Sequence, residues 1–292
     1  MVQIIRSVSS ISASYDAIFC DLWGCLHNGV APFPEAVEAL QRFRAEGGKV
    51  LFLTNAPRPN NVVQKSLDRL GVPHDAYDAI VSSGDATQVA MFGGAIGQNA
   101  WHLGPDKDFG LFSDAPGDAE IASTIQRVDL ESADVIICTG LFDEFSETAE
   151  DYRERLNAAR ARELPMLCAN PDLAVVLGEK ELPCAGALAA LYEEIGGEVR
   201  YFGKPHAPIY DLARQRLAQI SGNGNNRILA IGDGVHTDVA GANLVGIDVL
   251  FVTSGIAAGQ FGPDVDAPSP ALLEAWLRKQ EQIVNFAIGR LR

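Results

Sequence analysis

Four short stretches of this chain carry side chains suited to holding a hard cation and a phosphoryl group. Asp21 closes an apolar run that begins at Ala17, and a carboxylate set against a buried strand is costly unless it is paired or metal-bound. The loop Leu22-Trp23-Gly24-Cys25-Leu26-His27-Asn28-Gly29 follows it. Thr54-Asn55, after a second apolar run, offers a hydroxyl and backbone N–H groups. Lys204 stands in Gly203-Lys204-Pro205 ahead of a helix-period segment. Asp233 and Asp238 frame Gly232-Asp233-Gly234-Val235-His236-Thr237-Asp238 after another strand. Magnesium takes oxygen ligands and keeps bound water, so one or two of these carboxylates suffice for it. Each stretch alone has an ordinary reading: a helix cap for a strand-end aspartate, a turn for Gly-Lys-Pro. Their common placement, at strand ends and helix starts, is what points to phosphoryl chemistry.

Such residues need a scaffold that gathers strand ends. Apolar runs of strand length alternate with helix-period segments through most of the chain. Ala17 to Leu22 reads as a strand buried on both faces, followed by strands at Lys49 to Leu53 and Ala79 to Ser82. Val37, Leu40 and Phe43 fall at helical spacing between Pro34 and Arg44, and Gly47-Gly48 ends that helix. Asn60 caps a helix carrying Val63, Leu67 and Leu70, closed by Gly71. In the last third, a helix from Pro208 to Ile220 precedes a strand at Ile228 to Ile231, a helix at Asp238 to Leu244 and a strand at Val249 to Val252. This alternation predicts an α/β fold with a parallel sheet covered on both faces, and ligands at the carboxyl ends of its strands. The middle, residues 83–184, has strands at Val135 to Cys138 and Met166 to Ala169, a helix at Glu147 to Arg162 and looser stretches at 93–99 and 104–118. It reads as a second α/β unit inserted into the first. After Pro270, Leu273, Trp276 and Ile283 suit an amphipathic helix packed on the core.

Of the 292 residues, 47% are hydrophobic, enough for two domains or one large one. Lys and Arg number 23 against 38 Asp and Glu, a formal charge of −15. That charge repels nucleic acid and anionic lipid, so neither is expected as a partner. An anionic ester can bind only where a cation, a lysine and backbone N–H groups reverse the field. No apolar stretch is long enough to cross a bilayer, and Met1 to Ser14 lacks the long apolar segment of a secretory leader. The cysteines Cys20, Cys25, Cys138, Cys168 and Cys184 are scattered with no CxxC pair, and read as reduced thiols of a cytoplasmic protein.

In order along the chain, DLWGCLHNG, FLTNAPR, YFGKPH and IGDGVHTD resemble motifs I to IV of the haloacid dehalogenase superfamily. The long insertion between the second and third resembles class IIA with its C2-type α/β cap. Ala169-Asn170-Pro171-Asp172 and Ala185-Gly186-Ala187-Leu188 look like segments of that class. The likeness runs from Tyr15 to Gly255. It implies a Rossmann-like core of residues 1–82 and 185–292 and a C2-type cap of residues 83–184. It also implies a Mg²⁺-dependent phosphatase that works through an aspartyl-phosphate on Asp21. In that scheme Asp21, the backbone carbonyl of Trp23 and Asp233 hold Mg²⁺, with Asp238 orienting or ligating. Thr54 and Asn55 bind phosphoryl oxygens, Lys204 neutralises charge, and Asn170 and Asp172 touch substrate. The implied partner is a small phosphate ester: a sugar phosphate, a nucleotide or a cofactor phosphate. Cap pairing in relatives makes a homodimer a further expectation.

One position departs from the family. Its phosphatases carry a second aspartate two residues after the nucleophile, which protonates the leaving oxygen and then activates water; here Trp23 stands there. Indole donates a hydrogen bond but does not shuttle protons near neutral pH. General acid–base help is worth roughly 10²–10⁴-fold. His27 on the same loop is the candidate replacement acid/base; the alternative is that it fills a slot where relatives place an aromatic residue. His206 and His236 read as structural hydrogen-bonders, and His74 and His102 as surface or packing residues. Hydrolysis of small phosphate esters leads the functional readings. Transfer to an acceptor other than water is a second, and a metal- and phosphate-binding regulatory protein without turnover is a third.

Overall fold

The computed structural model describes residues 2–94, 97–113, 125–177, 180–222 and 226–292, so parts of the looser stretches at 93–99 and 104–118 lie outside the described residues. Its strands are β1 (Gln3–Ile4), β2 (Ala17–Cys20), β3 (Lys49–Thr54), β4 (Ala79–Ser82), β5 (Asn99–Leu103), β6 (Gln126–Arg127), β7 (Val135–Cys138), β8 (Met166–Cys168), β9 (Ala174–Leu177), β10 (Lys180–Pro183), β11 (Val199–Tyr201), β12 (Ile228–Gly232), β13 (Asp248–Val252) and β14 (Phe286–Ile288). The α-helices are α1 (Pro34–Ala45), α2 (Asn60–Leu70), α3 (Ser83–Phe92), α4 (Arg153–Ala161), α5 (Ala185–Glu194), α6 (Ala207–Ser221), α7 (Ala240–Val245) and α8 (Pro270–Gln280). The chain divides into two compact units. One comprises Met1–Thr54, Gln64–Val81 and Tyr210–Arg292, the other Asn55–Val63 and Ser82–Ile209.

The first unit is built on a seven-stranded sheet of order β1-β14-β13-β12-β2-β3-β4. β2 lies between β3 and β12 and runs parallel to both. Every residue of β2 and β12 is buried, which is why both read as unbroken apolar runs without alternation. Pro34 opens α1, and Arg44 in its last turn grips Asp78 with two N–H groups at 2.9 and 2.8 Å. Asp78 also accepts the Val50 N–H at 2.9 Å, so this carboxylate joins helix, loop and strand. α8 packs as expected: Leu273 is buried and the Trp276 ring stacks on Phe251 at 5.7 Å. Ile283, however, lies past the end of α8 and is 72% exposed. β1 pairs in parallel with β14, an edge too short to leave any periodicity in the sequence.

The second unit has a five-stranded sheet of order β11-β8-β7-β5-β6, parallel at each pairing, and a β9–β10 hairpin. Its core joins Trp101, Ile136, Tyr152, Leu156, Met166, Leu188 and Tyr192. Here the expected boundary after Cys184 is corrected. Leu188, Ala189 and Tyr192 of α5 belong to this core, and β11 extends its sheet beside β8. An apolar helix looks the same in sequence whichever core it joins.

Two further expectations shift. The predicted helix from Glu147 starts as a 3₁₀ turn, Ala149–Tyr152, under a Thr148–Asp151 capping box. Glu147 instead turns back to accept from the Asp143 N–H at 2.8 Å and from the Tyr152 hydroxyl. The predicted helix from Asp238 begins as a π-helical turn, Val235–Val239, before α7. Such turns favour functional positions. No described helix is long and apolar enough to cross a membrane.

Candidate active site

In the first unit, β2 stops at Cys20 rather than running to Leu22, and Asp21 sits just past its end. The Asp21 N–H still reaches across to the Ile231 carbonyl of β12 at 2.8 Å, which fixes its backbone to the central strand pair. The loop after it is folded by its own groups. Leu26 and His27 donate to the Leu22 carbonyl at 2.8 and 3.1 Å, and Gly24 donates to the His27 carbonyl at 3.0 Å. Asn28 Oδ1 accepts from both Val30 and Ala31 N–H groups.

Asp233 follows β12 directly, is 5% exposed, and accepts the Ile256 N–H on Oδ2 at 2.9 Å. Its carboxylate occupies a slot that two glycines leave open. A Cβ on Gly24 would fall 2.2 Å from Asp233 Oδ2, and one on Gly255 1.8 Å from the same oxygen. Gly24 also adopts φ +73°, a left-handed conformation that suits glycine. Carboxylate oxygens of Asp21 and Asp233 and the Cys25 sulfur all lie within 4.8 Å of one another. Two carboxylates at that spacing, one held in a glycine-lined slot, fit a small hard cation with water completing its shell. Burial, then the charges of Asp233 and Asp21, push the Cys25 thiol well above its usual range. The sulfur is therefore protonated and a poor partner for magnesium.

Asp238 does not join that trio of donors among the described residues. It is 4% exposed, and its Oδ2 accepts the Gly234 N–H at 3.1 Å, bracing the loop that carries Asp233. Trp23 is 38% exposed and meets the His27 ring edge-on at 5.2 Å. His27 is buried, and its Nδ1 accepts the Gly29 N–H at 3.1 Å. Burial lowers its pKa to about 4, so near neutral pH the imidazole is uncharged and folds the loop. Thr54 ends β3 and is buried.

The second unit gathers the other expected residues. Lys204 and Asn55 are both buried, and the Asn55 amide bonds the Lys204 backbone and Asp172. Asn170 Oδ1 accepts the Asp172 N–H at 3.1 Å. His206 stacks on Tyr201, and His236 in the first unit is exposed. His102 is buried, with Nε2 2.9 Å from Thr139 Oγ1. Sequence reasoning set Cys25 beside Asp21 but not beside Asp233, and missed the contact of the Gly255-Ile256 turn with Asp233. The signal for that turn was available, since it lies just beyond the carboxyl end of an interior strand, β13.

A family model described as haloacid dehalogenase-like hydrolase matches residues 18–110, and a second, HAD-hydrolase-like model matches residues 201–275. A crystal structure of a hydrolase of the haloacid dehalogenase-like family from Brucella suis 1330 is 37% identical. It covers 99% of this chain and 100% of that one with a TM-score of 0.84. This chain belongs to the haloacid dehalogenase superfamily. In this class IIA member the second sheet follows the FLTNAPR motif, and its last strand, β11, ends on the first residue of YFGKPH. It is also 27% identical to the D-glycerol 3-phosphate phosphatase of Mycobacterium tuberculosis over 251 residues, which is 85% of this chain and 66% of that protein. A crystal structure of glycerol phosphate phosphatase from Mycobacterium tuberculosis in complex with magnesium is 26% identical. It covers 84% of this chain and 70% of that one, with a TM-score of 0.63. A further structure of that phosphatase holds calcium.

Proposed function

We propose that this protein hydrolyses small phosphate esters with Mg²⁺, through a phosphoryl group carried on Asp21. The observation that carries the reading is the placement of Asp21 and Asp233 carboxylate oxygens within 4.8 Å of each other at adjoining strand ends. Kinship with a glycerol 3-phosphate phosphatase supports the substrate class. Asp21 and Asp233, with the Trp23 carbonyl, would hold the cation. Bound there, it would neutralise phosphoryl charge and orient the ester.

In the first step an Asp21 oxygen attacks phosphorus, a P–O bond to the alcohol breaks, and the leaving oxygen takes a proton from solvent. In the second, water attacks phosphorus and the P–O bond to Asp21 breaks, giving inorganic phosphate and the free carboxylate. Thr54 and the Asn55 N–H are assigned to phosphoryl oxygens and Lys204 to their charge by likeness of motif. Asn170 and Asp172 are assigned to the loop that sorts substrates. Asp238 keeps the Asp233 loop in place through Gly234.

The deciding experiment measures phosphate release from p-nitrophenyl phosphate and a metabolite panel, with and without Mg²⁺, for wild type and Asp21→Asn. Metal-dependent turnover that disappears in the variant is the expected result. Equal non-zero rates would overturn the role of Asp21, and no turnover in either protein would overturn the hydrolase reading in favour of phosphate-ester binding without turnover. A phosphotransfer reading gains from one observation: Trp23 replaces the water-activating aspartate, while His27 Nδ1 is already engaged by Gly29. Under that reading, added glycerol discharges the phosphorylated enzyme faster than water does.

A further inference from the structure

Segments of the second unit that stood out in sequence meet around one amide. Asn55 is 5% exposed. Its Nδ2 donates to Asp172 Oδ1 at 2.8 Å and to the Lys204 carbonyl at 3.1 Å, while its Oδ1 accepts the Lys204 N–H at 2.7 Å. A carboxamide has two donor hydrogens and one acceptor oxygen, so both donors are committed to protein. Asp172 is anchored in turn: its N–H bonds Asn170 Oδ1 at 3.1 Å, and its carbonyl accepts the Gly186 N–H at the start of α5 at 3.1 Å. The backbones are pressed together. A Cβ on Gly186 would lie 2.2 Å from the Pro171 carbonyl oxygen, and one on Gly203 2.5 Å from Asn55 Oδ1.

We infer that Asn55 and Asp172 form a buried lock on the Lys204 backbone, and that the Asn55 side chain is a positioning residue acting through Lys204. The inference rests on the proposed role of Lys204 toward phosphate. A lysine ammonium is a point charge on a flexible stem, so where it can reach depends on how firmly its backbone is held. Here the lock grips Lys204 on both sides, at N–H and at C=O. The bond from Asn55 to the Asp172 carboxylate is charge-assisted and stronger than an amide–amide bond. The α5 turn at Gly186 thereby reaches Lys204 through Asp172 and Asn55.

The test combines kinetics with labelling of the Lys204 amine. With p-nitrophenyl phosphate, Asn55→Ala should lower kcat by about 10²-fold with a smaller change in KM, the cost of a misplaced group. In a Lys204→Ala background the same substitution should change the rate less than about twofold, because residues acting as one unit are not additive. Equal losses in both backgrounds would mean that Asn55 contacts phosphate directly, and would overturn the lock. Lys204 is 3% exposed, so acylation of its amine, followed by mass spectrometry, should be slow in wild type and faster in Asn55→Ala. Unchanged labelling would also overturn the lock. This arm holds even if wild type turns over no ester, an outcome that removes the hydrolase reading alone. If Asn55→Ala does not fold, Asp172→Ala decides instead, since it removes the carboxylate that holds one Asn55 donor hydrogen. Faster labelling of Lys204 in that variant supports the lock, and unchanged labelling overturns it.

Discussion

In the proposed reaction, Trp23 and His27 frame how the loop after Asp21 would work without an added acid. His27 Nδ1 is spent on Gly29, and Trp23 offers only an indole N–H. Trp23→Asp should therefore raise kcat on an alkyl phosphate, by up to about 10²-fold, measured by phosphate release at saturating Mg²⁺. No gain would mean that another group already delivers the proton. A second residue reports on stability. Burial, reinforced by the Arg127 charge, lowers the His102 pKa to about 4, while in the unfolded chain it stays near 6.5. The unfolded chain then binds the extra proton between those values. The stabilisation is complete above pH ~6.5 and falls away as pH drops toward ~4. Urea unfolding should show wild type losing about 1–2 kcal/mol more than His102→Gln between pH ~7 and ~5. Identical pH dependence in both would contradict the buried neutral imidazole.

Turns shape the proposed cation site as much as carboxylates do. Gly24, Gly255 and the Ile256 N–H enclose Asp233, each from a different stretch of loop than Asp233 itself. Gly255→Ala should push the carboxylate aside and weaken Mg²⁺ binding about 10–100-fold by titration calorimetry, with the circular dichroism spectrum unchanged. Full affinity in this variant would place the cation elsewhere. The strand ends that carry these carboxylates were readable beforehand. Asp21, Thr54, Lys204 and Asp233 lie beside strands or helices whose type was legible from unbroken apolar runs, as in β2 and β12. The Asn55–Asp172 contact was not, because the two residues are 117 positions apart and only the folded backbone brings them together. β1 and β11, of two and three residues, were also silent. Nor could an apolar helix such as α5 announce which core it would join.

At the scale of the whole molecule, charge governs encounter. A formal charge of −15 repels an anionic ester before any local group attracts it. Raising ionic strength from about 0.01 M to about 0.15 M shortens the screening length from about 30 to about 8 Å. At fixed Mg²⁺ activity, kcat/KM for a phosphate ester should therefore rise over that range while kcat changes little. A fall would show that a local positive field, not the net charge, controls capture. Removing divalent cations with EDTA should abolish turnover, and added Mg²⁺ should restore it.

The central place of β2 has a consequence for how the chain comes into being. Its partners on one side begin at Lys49, but on the other Ala17 pairs with Ile228, 211 residues later. At about 5–20 residues per second on the ribosome, that second flank arrives roughly 10–40 s after the strand itself. Throughout that interval the apolar edge that leads into the Asp21 carboxylate has one neighbour and an open side, a natural station for a chaperone.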